Sequence, residues 1–358
     1  MKICLLGDTH FGVRNDAKHF HEFYEKFYSN IFFPYLEEHD IKVVIQLGDL
    51  FDRRKYMNFL SLFESRRYFF DVLKEKGIHL HALIGNHDIF WRHSLEVNSP
   101  DLLLKDYDNI TLWSKHGTLE LDGMNIDMIP WICQENEKEI REFVSNSVSS
   151  HCVGHFELLG YQLWPGMPSH EGYSDDFLEN YDQVYSGHYH MKSSQGNVMY
   201  LGTPYELFWN DYKDQKGFGI FDTETKELEF INNPYRMFYK IKYDDSKLTM
   251  EQLKTIDYSM YEKAYIKIVV LHKSNPHIFD QLVDNLYKVN PIDINIVEDF
   301  SEMANNTFEV VDQAEDTLTI LSNYIDSQSL QIEPDKINKL KTVMKELYLE
   351  ALSTEHIE

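Results

Sequence analysis

Directly after the apolar run Val43-Val44-Ile45-Gln46-Leu47 stands Gly48-Asp49-Leu50-Phe51-Asp52-Arg53-Arg54. A β-branched apolar run that stops at a glycine and an aspartate reads as a buried parallel strand delivering a carboxylate to the loop beyond its C-terminal end. That edge is where α/β sheets keep their chemistry. The device recurs: Ile3-Cys4-Leu5-Leu6 runs into Gly7-Asp8-Thr9-His10, and Leu80-His81-Ala82-Leu83-Ile84 runs into Gly85-Asn86-His87-Asp88. Cys152-Val153-Gly154-His155 and Val184-Tyr185-Ser186-Gly187-His188-Tyr189-His190 follow downstream. A lone histidine is most often a surface or hydrogen-bonded core residue. Five successive strand ends carrying Asp, Asn or His read instead as one site.

On these residues the chain resembles the calcineurin-like metallophosphoesterases, whose pattern runs Asp-x-His, Gly-Asp-x-x-Asp, Gly-Asn-His-Asp/Glu, His, Gly-His-x-His. The blocks span residues 8 to 190. Gly202-Thr203-Pro204-Tyr205-Glu206 and the tail beyond it resemble, more narrowly, the SbcD-type nuclease subunits of double-strand-break processing complexes, including those of T-even-like phages. The resemblance implies two divalent ions. Asp8, His10, Asp49 and His190 would hold one; Asp49, Asn86, His155 and His188 would hold the other, with Asp49 shared. Ions about 3.5 to 4 Å apart clamp a phosphodiester and activate water. Mixed imidazole, amide and carboxylate ligands suit Mn2+ better than Mg2+, which prefers oxygen shells. His87 would protonate the leaving oxygen, and Asp88 would brace its loop. The nuclease relatives often carry His at the position of Asp52. Gly-Asp-x-x-Asp-Arg is closer to the phosphatase branch, in which Asp52 would orient His87 and Arg53 would take a phosphate oxygen.

A chain of 358 residues exceeds one ordinary core and suggests two or three domains. No run of 18 apolar residues appears, and Met1-Lys2-Ile3 enters a strand at once, so no membrane span or signal peptide and a cytoplasmic location are expected. Cys4, Cys133 and Cys152 are scattered in or beside apolar runs, which argues against a disulfide framework or a zinc ribbon and for buried thiols. The net charge of −25 is awkward for a DNA enzyme, because Lys and Arg supply most of the affinity for phosphates. Residues 52 to 76 are a local exception, with seven basic side chains against four acidic ones. They read as a modest basic rim that leaves DNA retention to a partner.

Residues 17 to 39 place Phe20, Phe23, Tyr24, Phe27, Ile31 and Tyr35 at helical spacing and predict a crossover helix ending near Pro34 and the acidic Glu37-Glu38-His39-Asp40. Residues 58 to 76 predict another, closed by Gly77. Its apolar residues outnumber one face; this excess reads first as a wide core stripe and, by the resemblance, as a homodimer interface. Alternating segments around Asp122-Gly123 predict a hairpin opening a second sheet, and strands at 197 to 201, 217 to 222 and 226 to 232 are expected to close it. Asn232-Asn233-Pro234 marks a boundary. From 237 to 300 the pattern is strand, helix, strand, helix, strand.

The expected class is therefore α/β in layers: a metallophosphoesterase two-sheet β-sandwich flanked by helices over 1–232, a small α+β capping domain over 233–300, and a helical segment over 301–358. The last carries a net charge of −8 and an apolar stripe from Ile337 to Leu352, and by the resemblance it grips an SMC-like ATPase. The function implied is a manganese-dependent DNA nuclease subunit, acting on duplex ends and on single strands or hairpins. The alternative is a phosphatase or cyclic-nucleotide phosphodiesterase.

Overall fold

The computed structural model describes residues 1–164, 166–298 and Val343. Parallel strands β1 (Lys2–Leu6), β2 (Val43–Gln46), β3 (His79–Leu83) and β4 (Ile110–Trp113) lie side by side in that order. β5 (Gly117–Leu121) and β6 (Met124–Ile129) open a second sheet through Asp122 and Gly123, with φ of 53° and 74°. Two positive φ values in a two-residue loop match the twist of a hairpin. β7 (His151–His155) joins β6 in parallel, and β8 (Gln162–Trp164) and β9 (Met167–Pro168) form a separate two-stranded flap. β10 (Gln183–Gly187), β11 (Ser193–Gln195) and β12 (Val198–Tyr200) complete the order β11-β12-β10-β7-β6-β5.

β13 (Gly217–Asp222) and β14 (Leu228–Asn232) depart from expectation. They belong to the first sheet, β13 lying antiparallel to β1 with Lys2 opposite Asp222. Phe218 and Ile220 pack toward the helices, while Phe221 faces the second sheet. A strand's residue pattern shows its apolar positions but not which sheet it will join, because pairing is a long-range choice.

Ile3, Leu5, Val43, Ile45 and Leu83 meet Ile126, Met128, Val153 and Tyr185 between the sheets. Cys4, Leu6 and Val44 turn to the helical layer. Burial on both faces explains why these strands read as continuous apolar runs. α1 (Lys18–Phe27) continues through a wide turn at Tyr28–Phe32 into α2 (Phe33–Glu38), so the helix runs through Pro34 and ends in the acidic stretch expected to close it. Phe33 N–H reaches back five residues to the Tyr28 carbonyl, and the widened turn admits a ring that would otherwise strike the carbonyl four residues earlier. α3 (Phe59–Ser65) joins α4 (Asp71–Glu75) through a similar turn, and α5 (Glu137–Asn146) covers the second sheet with Ile140 and Val144. The three cysteines are buried and unpaired.

A third sheet of three parallel strands follows: β15 (Phe238–Asp244), β16 (Tyr265–His272) and β17 (Asp293–Glu298), with α6 (Met250–Thr255) and α7 (Pro276–Tyr287) as the crossovers. Leu253, Phe279, Leu282 and Leu286 cover one face. The unit is keyed to the sandwich by buried Glu206, which accepts from the Met237 and Phe238 amides at 2.7 and 3.0 Å and from Arg236 Nη1 at 2.9 Å. Among the described residues no helix is long and apolar enough to cross a membrane. The readings made for 301–358 lie outside the described residues.

Candidate metal centre

The C-terminal ends of β1, β2, β3, β7 and β10 meet at one edge of the sandwich. Ligand atoms of Asp8, His10 and His190 lie within 4.8 Å of one another, as do those of Asp49, His155 and His188. Asp49 Oδ2 stands between the two groups, 3.3 Å from His155 Nε2 and 3.8 Å from His10 Nε2. Asn86 Oδ1 lies 3.0 Å from His155 Nε2 and 2.9 Å from His188 Nδ1. All seven residues expected as ligands are thus brought together.

Local backbone geometry explains the spacing of the motifs. His10, Asp49 and His188 have φ of 43°, 54° and 89°, a region non-glycine residues rarely occupy and that functional sites retain at a cost. Gly48 has a φ of 100°, and a Cβ there would strike the His155 ring. A Cβ on Gly85 would strike Asp49. The glycines of the motif are therefore required by the close approach of neighbouring ligands. Buried Gln46 holds the turn, donating to the Gly48 carbonyl at 2.5 Å and accepting from its amide at 3.0 Å. Asp88 accepts from the amides of Leu50, Phe51 and Gly85, tying the second loop to the third as a brace.

The donor set fits cations. His155 Nδ1 is 2.7 Å from the Leu47 carbonyl, which can only accept, so this nitrogen carries the proton and Nε2 of the neutral ring presents a lone pair. That lone pair faces the Asn86 and Asp49 oxygens, which are acceptors too. Burial acts against protonation of His155, but the Asp49 and Asp8 carboxylates outweigh it and raise the ring to about 9. His10 is raised to about 9 against burial by Asp52 and Asp49. Burial pushes Asp8 up to about 7, against the pull of His155. Burial also acts to raise Asp49, but His155 and His87 hold it well below the usual carboxylate range.

The expected partners of His87 are placed differently. His87 Nδ1 donates to the backbone carbonyl of Asp52 at 2.6 Å, so the main chain and not the carboxylate orients the ring. The Asp52 carboxylate instead faces His10 Nδ1 at 3.4 Å, an ion-pair distance, while that nitrogen has no hydrogen-bond partner. Arg53 turns to Asn15 Oδ1 at 2.5 Å and to Asp16 Oδ2 at 3.7 Å. Its guanidinium is engaged by this neighbouring turn.

Several supports went unread in the sequence. Fully buried Lys216 donates to the His190 carbonyl at 2.8 Å and is neutralised by Asp211 and Asp214 at 2.7 and 2.9 Å. Tyr205 donates to the Thr9 carbonyl at 2.7 Å, between two expected ligands. Glu157 lies behind His188 Nε2 at 3.9 Å, and the Trp131 ring shields the same histidine at 5.2 Å. Only Tyr205 sits in a motif; the others are marked by neither periodicity nor spacing.

Residues 1–192 match the family model described as calcineurin-like phosphoesterase. The chain is 34% identical over 357 residues to Exonuclease subunit 1 of Enterobacteria phage T4, covering 98% of this chain and 99% of that one. Among solved structures, an archaeal phosphodiesterase is 16% identical with a TM-score of 0.33, covering 65% of this chain and all of that one. GAP50 of Plasmodium is 14% identical with a TM-score of 0.36, covering 66% and 90%. These two overlaps are too loose to bear on function. Two histidine-rich clusters flanking Asp49, on the strand ends of a two-sheet sandwich, agree with the sequence match over its whole span: the chain belongs to the calcineurin-like phosphoesterases.

Proposed function

We propose that the chain is the nuclease subunit of a DNA-processing complex, cutting phosphodiester bonds with two Mn2+ at duplex ends and in single strands or hairpins. Mg2+ is the weaker substitute. The observation that carries this reading is the position of Asp49 Oδ2 between the two histidine clusters, in a chain alike over 98% of its length to a phage exonuclease subunit. Asp8, His10, Asp49 and His190 hold one ion and Asp49, Asn86, His155 and His188 the other, and the pair supplies charge neutralisation and water activation. His87, oriented by the Asp52 carbonyl, gives its proton to the leaving oxygen. Trp131 keeps bulk water from His188 and His155. Arg53 adds a cation to the rim. Residues 233–300 form a cap beside the site, 301–358 dock an SMC-like ATPase, and the chain acts as a homodimer in the cytoplasm of the bacterial host.

The alternative, a phosphatase or cyclic-nucleotide phosphodiesterase, is favoured by Asp52-Arg53 and by the acidic charge; His87 is held by the Asp52 carbonyl and Arg53 by Asn15 and Asp16, which favours it less. The test sets the purified chain, with manganese, against an end-labelled duplex and p-nitrophenyl phosphate in parallel. DNA loss should far outrun monoester hydrolysis, and Asp49→Ala should abolish both the cutting and the two strong metal-binding events seen by calorimetry. Rapid monoester turnover with intact DNA would reject the nuclease reading.

A further inference from the structure

In a chain with 59 acidic and 34 basic side chains, cations gathered beside aromatic rings are where a nucleic acid could be held. Arg14 and Lys267 are two of them. Among the described residues neither makes an ion pair; both rest on aromatic rings. Arg14 lies 5.7 Å from the ring centroids of both Phe208 and Tyr265, and Lys267 Nζ lies 4.5 Å from that of Trp209. Lys240 sits opposite Lys267 on the neighbouring strand and, after burial, is the main influence lowering the Lys267 pKa. The strip starts at the candidate metal centre: the Phe208 ring lies nearly parallel to His190, at 10° and 6.0 Å, and lines a cavity of about 320 Å³ with His188 and His190.

The backbone is strained in order to place Arg14. Arg14, Asn15 and Asp16 have φ of 56°, 58° and 59°, three successive left-handed residues. Left-handed backbone is disfavoured for L residues, least for Asn and Asp, so the disfavour falls chiefly on Arg14. Such a turn persists only where its surroundings over-determine it. Here Ser61 Oγ donates to Asp16 Oδ1 at 2.6 Å, Arg53 donates to Asn15, and the Asp16 amide returns to the Gly12 carbonyl at 3.1 Å. Asn15 is thus tied to Arg53 and Asp16 is buried against Ser61, while Arg14 is left exposed over the rings.

We propose that Arg14, Phe208, Trp209 and Lys267 form a track for one unpaired strand of DNA running from the metal centre onto the third sheet. Bases stack on Phe208 and Trp209, and phosphates meet Arg14 and Lys267. Alternating rings and cations are the chemistry that binds single strands without regard to sequence. A duplex hides its base faces and can use only the cations. The track rests on the nuclease reading and names the form of substrate held next to the cut.

The test is run in EDTA, so that no strand is cut. Full-length chain is titrated into fluorescein-labelled oligothymidylate and into a duplex closed by a hairpin at each end, across a range of salt concentrations. Arg14→Gln and Lys267→Gln should each weaken oligothymidylate binding and reduce the salt slope by about 0.7, the share of one phosphate contact on a single strand. Phe208→Leu should weaken oligothymidylate binding about tenfold, within the usual worth of one stacked base, and change the closed duplex less than twofold. The track is refuted if Phe208→Leu weakens both DNAs by the same factor. It is also refuted if oligothymidylate binding is unchanged in the two cation variants, which keeps the test decisive should Phe208→Leu fail to fold. The nuclease reading fails on another readout: wild-type chain with manganese that leaves both DNA and bis(p-nitrophenyl) phosphate uncut.

Discussion

His10 stands between two carboxylates, with Nε2 3.8 Å from Asp49 Oδ2 and Nδ1 3.4 Å from Asp52 Oδ1. A carboxylate behind a ligating imidazole fixes the ring and raises its basicity, and its loss typically costs ten- to a hundredfold in metal affinity. Asp52→Asn should therefore weaken one of two metal-binding events by about that factor and leave the His155 cluster unchanged. His87→Ala should do the reverse, keeping both ions while turnover drops roughly 10²–10⁴-fold, the usual worth of general acid catalysis. Calorimetric titration of the two variants side by side decides the matter; if Asp52→Asn binds both ions as wild type does, the carboxylate has no such role. The residues gathered at the strand ends were legible because each follows an apolar strand. The part played by Asp52 was not, because a motif names a residue without saying whether its carbonyl or its carboxylate makes the contact. Lys216 was illegible for a different reason: it reaches His190 only once β13 has paired with β1.

At the scale of elements, strand and helix order could be read along most of the chain, since burial on two faces leaves long apolar runs and amphipathic helices repeat at 3.6 residues. Pairing across distance could not, as β13 and β14 show. β3 and β4 hold a further consequence. Trp113 Nε1 donates to His81 Nδ1 at 3.3 Å, and an indole can only donate, so His81 must be neutral. Burial, with the charge of His79, lowers His81 from 6.5 to about 4. The unfolded chain thus takes up this proton first as the pH falls. The stabilisation is complete above about 6.5 and is lost progressively as the pH drops toward 4, by about 2–3 kcal/mol in all. Urea unfolding at pH 7 and pH 4.5 should show wild type losing about 2 kcal/mol more than His81→Leu over that interval. Equal losses would mean that His81 is not held neutral by the fold.

At the scale of the whole molecule, nothing among the described residues covers the outer surface of α3. The helix turns Ser61 and Ser65 inward and leaves Phe59 at 88% and Phe63 at 62% exposed. The inward serines are satisfied, Ser61 by Asp16 and His21 and Ser65 by the Leu62 carbonyl. The apolar excess of residues 58 to 76 therefore divides: Phe69, Phe70 and Leu73 are core, as the stripe reading held, whereas Phe59 and Phe63 are not. Phe59 and Phe63, about one helical turn apart, are exposed apolar rings of the kind that chains keep for association. Use of one surface by two copies around a two-fold axis needs no second partner. Each copy brings a net charge of −25, so the contact must overcome repulsion that salt screens. Sedimentation at micromolar concentration should give twice the chain's mass, with dimer content rising between low and moderate salt. Phe59→Ser combined with Phe63→Ser should give the monomer at every salt concentration. Because association stabilises only the folded state, the melting temperature of wild type should climb with protein concentration and that of the double variant should not. Wild type that sediments as a monomer throughout, with a melting temperature independent of concentration, would leave these phenylalanines to some other partner.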